Sequence, residues 1–364
     1  MADLLARRAL NASAGQAVAD LNDDEFAAAI GGPPPDARRG WGDSYRAEIC
    51  GFPVFVKRLP LTDIEKERPD DTSNIFGLPD FYHYGVGSAG FGTNRELAAH
   101  RKTTAWVLDG AIDSFPLLYH HRVLPRPGRS PDPRFQLEDY VRRWNGSEAI
   151  SGLMAARAEA EHELCLVLEP FAHTLGAWLP DNQHGVGAAV DGLCRAIAHL
   201  RSAGIVHFDA HLWNIVGDGN SWHLADFGLL VDDEFDLDDE ERAFLGRHRH
   251  YDTGEMLASL GSVLLAMVDA LDPPARERVE QRYGIPPPIG PDQALEALLS
   301  RMDDLGADSD LSIDACLVDA LARYRQVILY MATFLNQLRR NQRKDTTYDD
   351  SLLRSLLDAS GVPL

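Results

Sequence analysis

The chain has 364 residues, enough for one large domain or two lobes, and 45% of them are hydrophobic, enough for a buried core. Its 35 basic residues face 56 acidic ones, a formal net charge of −21. That balance argues against nucleic acid and anionic membrane as partners, since both attract basic surfaces. It is compatible with a cationic ligand, and equally with an acidic surface that keeps the protein soluble.

The opening stretch, MADLLARRALNASAG, lacks the apolar core of a signal peptide. The most apolar later stretch, Met256–Leu271, is short and carries Asp269, so it reads as a core helix rather than a membrane span. Cys50, Cys165, Cys194 and Cys316 are scattered, with no C-x-x-C pair. They read as reduced core residues, and the expected location is the cytoplasm.

In chain order, Ala2 to Ile30 reads as two short helices, the second capped at Asn22-Asp23-Asp24 and ended by Gly31-Gly32-Pro33. A glycine-bearing loop, Arg38 to Ser44, leads into a strand over Tyr45–Ile49. A turn at Cys50-Gly51 and a strand over Pro53–Lys57 complete an antiparallel hairpin. Glu65 and Glu67 follow in a Pro- and Asp-rich loop. Gly85-Val86-Gly87-Ser88-Ala89-Gly90 spells G-x-G-x-x-G. A dinucleotide fingerprint would need a parallel βαβ unit and an acidic residue for a ribose, and neither follows, so this is read as a flexible lead-in to a helix. That helix covers Asn94–Leu108, with Leu97, His100, Thr104 and Val107 near one face. A strand over Phe115–Leu124 is followed by a Pro/Arg-rich loop at 125–133, a helix through Gln136–Glu163 and a strand over Leu164–Leu168. Thr174–Leu179 opens a second lobe. Val190, Leu193, Ile197 and Leu200 mark an amphipathic helix over Val186–Arg201, stopped by Ser202-Ala203-Gly204.

Next comes GIVHFDAHLWNIVGDGNSWHLADFGL, Gly204 to Leu229, read as loop, strand, turn, strand, loop. Asp209 and Asn214 sit on the first loop. Asp218-Gly219 is the turn between strands at Ile215-Val216 and Trp222–Ala225, and Asp226-Phe227-Gly228 ends the second. Two carboxylates and an amide at one end of a hairpin suit phosphoryl transfer. One carboxylate can accept the proton of an attacking hydroxyl, and the other, with an amide oxygen, supplies hard ligands for magnesium. His207-Phe208-Asp209 through Asn214 follows the pattern H-x-D-x-x-x-x-N, and Asp226-Phe227-Gly228 is D-F-G. In these motifs the chain resembles the protein kinase-like superfamily, which includes the aminoglycoside phosphotransferases, over roughly residues 38–270.

The resemblance implies an α+β, bilobal protein kinase-like fold with an antiparallel sheet and a helix in the first lobe and a mostly helical second lobe. On that reading residues 1–37 are a helical extension, 38–171 the first lobe with insertions at 58–93 and 125–163, and 172–364 the second lobe with the catalytic and metal-binding loops. It implies ATP and Mg2+ as cofactors, Asp209 as catalytic base, and Asn214 and Asp226 as metal ligands. It implies that Lys57 pairs the phosphates and that a glutamate pairs Lys57, Glu96 being favoured over its competitors Glu65 and Glu67, with Gly40, Gly42 and Ser44 as the phosphate loop. Glu169 and Phe171 fall at the hinge whose backbone reads adenine. His207 and His211 read as bracing residues.

Phe208 stands where many protein kinases carry arginine, His211 stands where they carry lysine, and no A-P-E follows. These features resemble the small-molecule branch. The expected acceptor is therefore a small-molecule hydroxyl on an antibiotic or metabolite; a peptide or protein Ser/Thr acceptor, or a nucleotide-binding scaffold without chemistry, are the alternatives. Val231–Glu241, VDDEFDLDDEE, either lines the cleft mouth and favours a cationic acceptor, or is a solvated helix start. His248, His250 and Tyr251 cluster without the partners of a zinc site. Further helices are expected over Gly254–Leu271, Pro291–Met302, Ile313–Leu338 and Tyr348–Leu357, with breaks at Pro273-Pro274 and Pro286–Pro288.

Overall fold

The structure is a computed structural model that describes residues 2–34, 38–39, 41–126, 137–285 and 290–363. Gly40, most of the loop at 125–133 and the prolines at 286–288 lie outside these residues. The chain divides into two compact units, Met1–Ala172 with Ala225–Arg242, and His173–Leu224 with Ala243–Leu364. The N-terminal extension thus belongs to the first unit, and so does the Asp226 segment, which the sequence placed with the second lobe.

The first unit begins with α1 (Ala2–Ala19) and α2 (Asp23–Ile30). The first of these is long rather than short. The Asn22 side chain accepts the Glu25 amide at 3.0 Å while the Glu25 carboxylate accepts the Asn22 amide at 2.9 Å, a reciprocal cap for α2. Then come β1 (Arg38–Arg39), β2 (Asp43–Ile49), β3 (Phe52–Leu61), α3 (Asp63–Glu67), α4 (Thr93–Asp109), β4 (Leu118–Pro125), α5 (Leu137–Arg143), α6 (Glu148–Glu159) and β5 (His162–Leu168). The strands form one antiparallel sheet in the order β1-β2-β3-β5-β4.

Period-two alternation along β3 puts Phe55, Lys57 and Leu59 on one face. Leu59, Leu97, Leu118, Leu164, Leu166 and Leu168 make a cluster there, with Phe55 packed against it. Each leucine buried this way contributes about 1.5–3 kcal/mol, so the face that presents Lys57 is also a firm hydrophobic anchor for α4.

Three local expectations are corrected in this unit. The helix expected over 136–163 is two helices, because Asn145 and Gly146 adopt φ of 60° and 70°, outside the helical range. Glu163 belongs to β5, where its buried carboxylate pairs with Arg58. Glu65 does not lie in a loop. It sits in α3, where its carboxylate accepts the Thr62 amide at 3.0 Å and the Thr93 amide at 2.8 Å, so it also satisfies a free donor at the start of α4.

The second unit contains β6 (His173–Thr174), α7 (Leu175–Trp178), α8 (Val186–Ser202), β7 (Ile205–Val206), β8 (Ile215–Gly217) and β9 (Trp222–Leu224). Strands β6, β8 and β9 pair antiparallel. Helix α8 buries Val190, Leu193, Ile197 and Leu200, the residues its periodicity marked. After β10 (Val231–Asp232) and α9 (Asp239–Gly246), the chain continues in helices: α10 (Tyr251–Asp269), α11 (Pro273–Tyr283), α12 (Pro291–Leu299), α13 (Met302–Ala307), α14 (Ala315–Arg340) and α15 (Asp350–Ala359).

Pro273-Pro274 opens α11 rather than breaking the chain. Asp272 accepts the Ala275 amide at 2.8 Å, and prolines fit a first helical turn, whose amides have no partner within the helix. The helix expected over Pro291–Met302 stops at Leu299, and α13 starts separately. Helix α10 is buried along most of its length, and a Cβ on Gly261 would sit 2.7 Å from the Ile328 side chain of α14, so glycine sets the close packing of these two helices. No helix among the described residues is long and apolar enough to cross a membrane. Only Cys165 and Cys194 lie in the core; Cys50 and Cys316 are exposed, against the expectation of four core cysteines.

Candidate functional site

The residues singled out from the sequence fall into two sets, one in each unit. In the first unit, β3 presents Lys57 toward α4, and the Lys57 ammonium lies 2.6 Å from Glu96 Oε1 and 2.7 Å from Asp226 Oδ1. The Lys57–Glu96 ion pair expected from the sequence is therefore present. Burial alone would lower the Lys57 pKa, but Asp226 and Glu96 outweigh it and hold the ammonium above its ordinary value. Glu96 moves the opposite way from a simple paired carboxylate. Burial raises its pKa, and Asp226, sharing the same ammonium, repels its charge and adds to the rise. Asp226 is the more solvated partner, with 47% of its side chain exposed.

Several long-range ties hold the Asp226 segment onto α4. Arg95 binds the Glu241 carboxylate with two nitrogens at 2.8 and 3.2 Å, both side chains being almost wholly buried. Lys102 binds Asp232 at 2.7 Å. Phe227 packs edge-on to His100 at 4.7 Å between ring centroids. Burial pushes the His83 imidazole down to about 4, so at neutral pH it is uncharged beside Leu229 O, 3.2 Å away. Burial would raise Glu241, but His83 and Arg95 bring it down to about 2.

The acidic run is thus neither simply solvated nor wholly available to a ligand. Asp232 and Glu241 are buried in ion pairs, and Asp236 accepts a bond from Thr72 Oγ1 at 3.0 Å. Asp238 accepts the Glu241 amide at 2.8 Å, and Asp233, Asp239 and Glu240 are exposed.

Four of the positions assigned to the nucleotide, Gly42, Ser44, Glu169 and Phe171, also make contacts within this unit. A Cβ on Gly42 would collide with the Arg58 carbonyl, so the glycine allows the loop to lie against β3. Trp41 beside it packs against Tyr140 at 4.7 Å between rings. Ser44 pairs with Lys57 across the β2–β3 ladder. Glu169 carries an unforeseen role: its carboxylate takes two bonds from Arg7 of α1, at 2.8 and 2.7 Å, and a third from the Leu117 amide at 3.1 Å. Its own amide donates to Leu117 O at 2.9 Å, so neither its side chain nor its N–H is open to a base. The Phe171 carbonyl accepts from Arg46.

In the second unit, Asn214 Nδ2 donates to Asp209 Oδ2 at 2.7 Å and to Asp209 O at 3.0 Å, which fixes the Asp209 carboxylate and leaves the Asn214 amide oxygen as an acceptor. His211 Nε2 lies 3.5 Å from Asp209 Oδ1. His207 Nδ1 accepts the Asp209 amide at 3.2 Å, so His207 braces the loop.

The loop rests on three α10 side chains that the sequence reading passed over. Asp252 accepts the His207 and Phe208 amides at 2.7 and 2.9 Å, Glu255 accepts the Ala210 amide at 2.8 Å, and Ser259 Oγ accepts the Leu212 amide at 3.2 Å. Positions i, i+3 and i+7 share one helical face. The available signal was two acids and a serine at i, i+3 and i+7 of a largely apolar helix. Burial raises Asp252 to about 7 against the pull of the two amides, and Glu255, buried beside Asp209 and Asp252, is raised as well. Phe208 and Asp226 both adopt left-handed backbone, with φ of 63° and 67°, a conformation that costs roughly 1–2 kcal/mol for side chains of this kind. Strain of this sort persists where surroundings over-determine it, as functional segments often require.

His250 and His248 are tied to the C-terminal region: His250 Nδ1 lies 2.7 Å from Asp350, and His248 stacks on Tyr348 at 4.6 Å. No protein-family model matches the chain, and no curated protein matches it.

Proposed function

We propose that this protein is an ATP-dependent phosphotransferase of the protein kinase-like type, moving the terminal phosphate of Mg-ATP to a hydroxyl group. The observation that carries the reading is the ion triad of Lys57, Glu96 and Asp226 on one face of the antiparallel sheet. A lysine held charged between two acids, one of them solvated, is a suitable partner for phosphate oxygens. The division into a sheet-bearing unit and a helical unit supports a bilobal arrangement.

The residues present suit the cofactor by their chemistry. The Asp226 carboxylate in the first unit and the Asn214 amide oxygen in the second are each hard oxygen donors of the kind magnesium takes. Magnesium, when bound, would neutralise charge on the phosphates. Lys57 would hold phosphate oxygens, and Glu96 would keep Lys57 aimed. Asp209, oriented by Asn214, would accept the proton of the attacking hydroxyl. The acceptor is expected to be a small molecule.

The test is mass spectrometry of candidate acceptors after incubation with Mg-ATP, using hydroxylated amines, neutral alcohols and Ser/Thr peptides in parallel. A mass gain of one phosphoryl group that disappears in Asp209→Asn supports the reading. Failure to bind nucleotide in calorimetry, with or without magnesium, refutes it.

A further inference from the structure

Gly85–Gly90, at the start of the Gly85–Gly92 segment, spells a phosphate-loop pattern, yet the amides at the end of the segment bond to protein. The Ala89 amide donates to Tyr82 Oη at 3.0 Å, the Gly90 amide to Ser88 Oγ at 3.2 Å and the Phe91 amide to Gly228 O at 3.2 Å. The Thr93 amide that follows goes to Glu65 at 2.8 Å. A loop cradles phosphate with unpaired N–H groups, and these four are used.

The same segment lies directly against the D-F-G turn. Gly90 has φ of +84°, and a Cβ there would sit 2.7 Å from the Gly228 carbonyl oxygen. Gly228 follows Asp226 by two residues, so the loop touches the backbone just beyond Asp226. The loop is in turn held by the long segment between β4 and β5. Arg157 of α6, almost wholly buried, donates to the Ala89 carbonyl, and Tyr140 of α5 donates to Gly87 O at 3.1 Å while sharing a hydrogen bond with Tyr82. Gly90, Gly92, Gly228, Glu96 and Arg157 line one small cavity in this unit.

We propose that the Gly85–Gly92 loop, clamped by Arg157 and Tyr140, is a brace that positions Asp226, and that Arg157 is a positioning residue for the metal-binding carboxylate. The metal part rests on the phosphotransferase reading; the brace does not. A substrate-independent readout separates the two. Hydrogen exchange of the peptide covering residues 225–230 is measured in the ligand-free protein for wild type, Arg157→Ala, Arg157→Lys and Gly90→Ala. Magnesium half-saturation of nucleotide binding is measured by calorimetry on the same proteins, well below their melting temperatures.

The brace predicts about tenfold or faster exchange at 225–230 in Arg157→Ala and Gly90→Ala, with exchange in α1 and β5 unchanged, and partial rescue by Arg157→Lys. It also predicts a magnesium half-saturation raised by roughly 10–100-fold, the usual effect of losing support behind a metal ligand. Unchanged exchange at 225–230 in the folded variants overturns the brace, whatever happens to nucleotide binding. Faster exchange in the variants, with a wild type that binds no Mg-ATP, upholds the brace and overturns the phosphotransferase reading. Faster exchange with unchanged magnesium dependence leaves the loop as scaffold and overturns the positioning role of Arg157.

Discussion

At the scale of single residues, Asp209 and Asp252 are two carboxylates with opposite tasks. Asp209 is partly solvated, with 19% of its side chain exposed, and is held by Asn214. On the phosphotransferase reading, changing it to Asn should leave nucleotide affinity within about twofold and lower turnover by about 10²–10⁴-fold, the usual contribution of a positioned base; steady-state kinetics and calorimetry on the same preparation check this. Asp252 is buried and accepts two backbone amides. Its pKa is raised in the folded protein to about 7, so its favourable contribution is complete below its unfolded value and is lost as pH rises through about 7. Wild type should therefore lose stability between pH 5 and 8 more steeply than Asp252→Asn. The variant should itself be less stable at pH 5 by about 1–3 kcal/mol, because an amide cannot accept both N–H groups. Urea unfolding at the two pH values measures both effects.

Among the elements, α4 does the most to organise its surroundings. It carries Glu96 toward Lys57, Arg95 toward Glu241 and Lys102 toward Asp232. Breaking the Arg95–Glu241 pair from one side strands a buried guanidinium, so Glu241→Ala should destabilise the protein by about 3–5 kcal/mol, read by denaturant unfolding. Replacing the exposed Asp239 in the same run should change stability by less than about 0.5 kcal/mol. This contrast also shows what the sequence could convey. Local signals were legible: the Asn22 cap, the Asp218-Gly219 turn and the face of α8 each depend on neighbours a few residues apart. The Lys57–Glu96 pair was legible only through resemblance to a known motif. Arg95–Glu241 and Arg7–Glu169 were not, because such pairs join residues 146 and 162 positions apart and nothing in the composition of a charged run says which acids will be buried. The α10 trio left a polar spacing in its own helix, but its partners are backbone amides, so nothing in the sequence said what it would hold.

For the whole molecule, on the phosphotransferase reading, the net charge of −21 bears on which acceptors would reach it. The test of a cationic preference must spare the acids that hold the fold. Neutralising Asp233, Asp239 and Glu240 together should keep the melting temperature within about 2 °C. If the run steers cationic acceptors, the triple variant should lose kcat/KM at low salt and show a flatter salt dependence than wild type. Identical kinetics at both salts would assign the exposed acids to solubility alone.

The four cysteines have a use that the chemistry of the site does not touch. One exposed thiol, Cys50, belongs to the first unit and the other, Cys316, to the second, while Cys165 and Cys194 are buried. Burial raises the Cys194 thiol to about 11, which keeps it protonated and unreactive at neutral pH. The hydrogen bond with Asp314 raises Cys316 above its usual value, so its modification calls for mildly alkaline buffer. The unaltered protein therefore offers one attachment point per unit for a donor and an acceptor dye. Energy transfer between them would report any change in the distance between the two dyes when Mg-ATP is offered, without engineering a single residue.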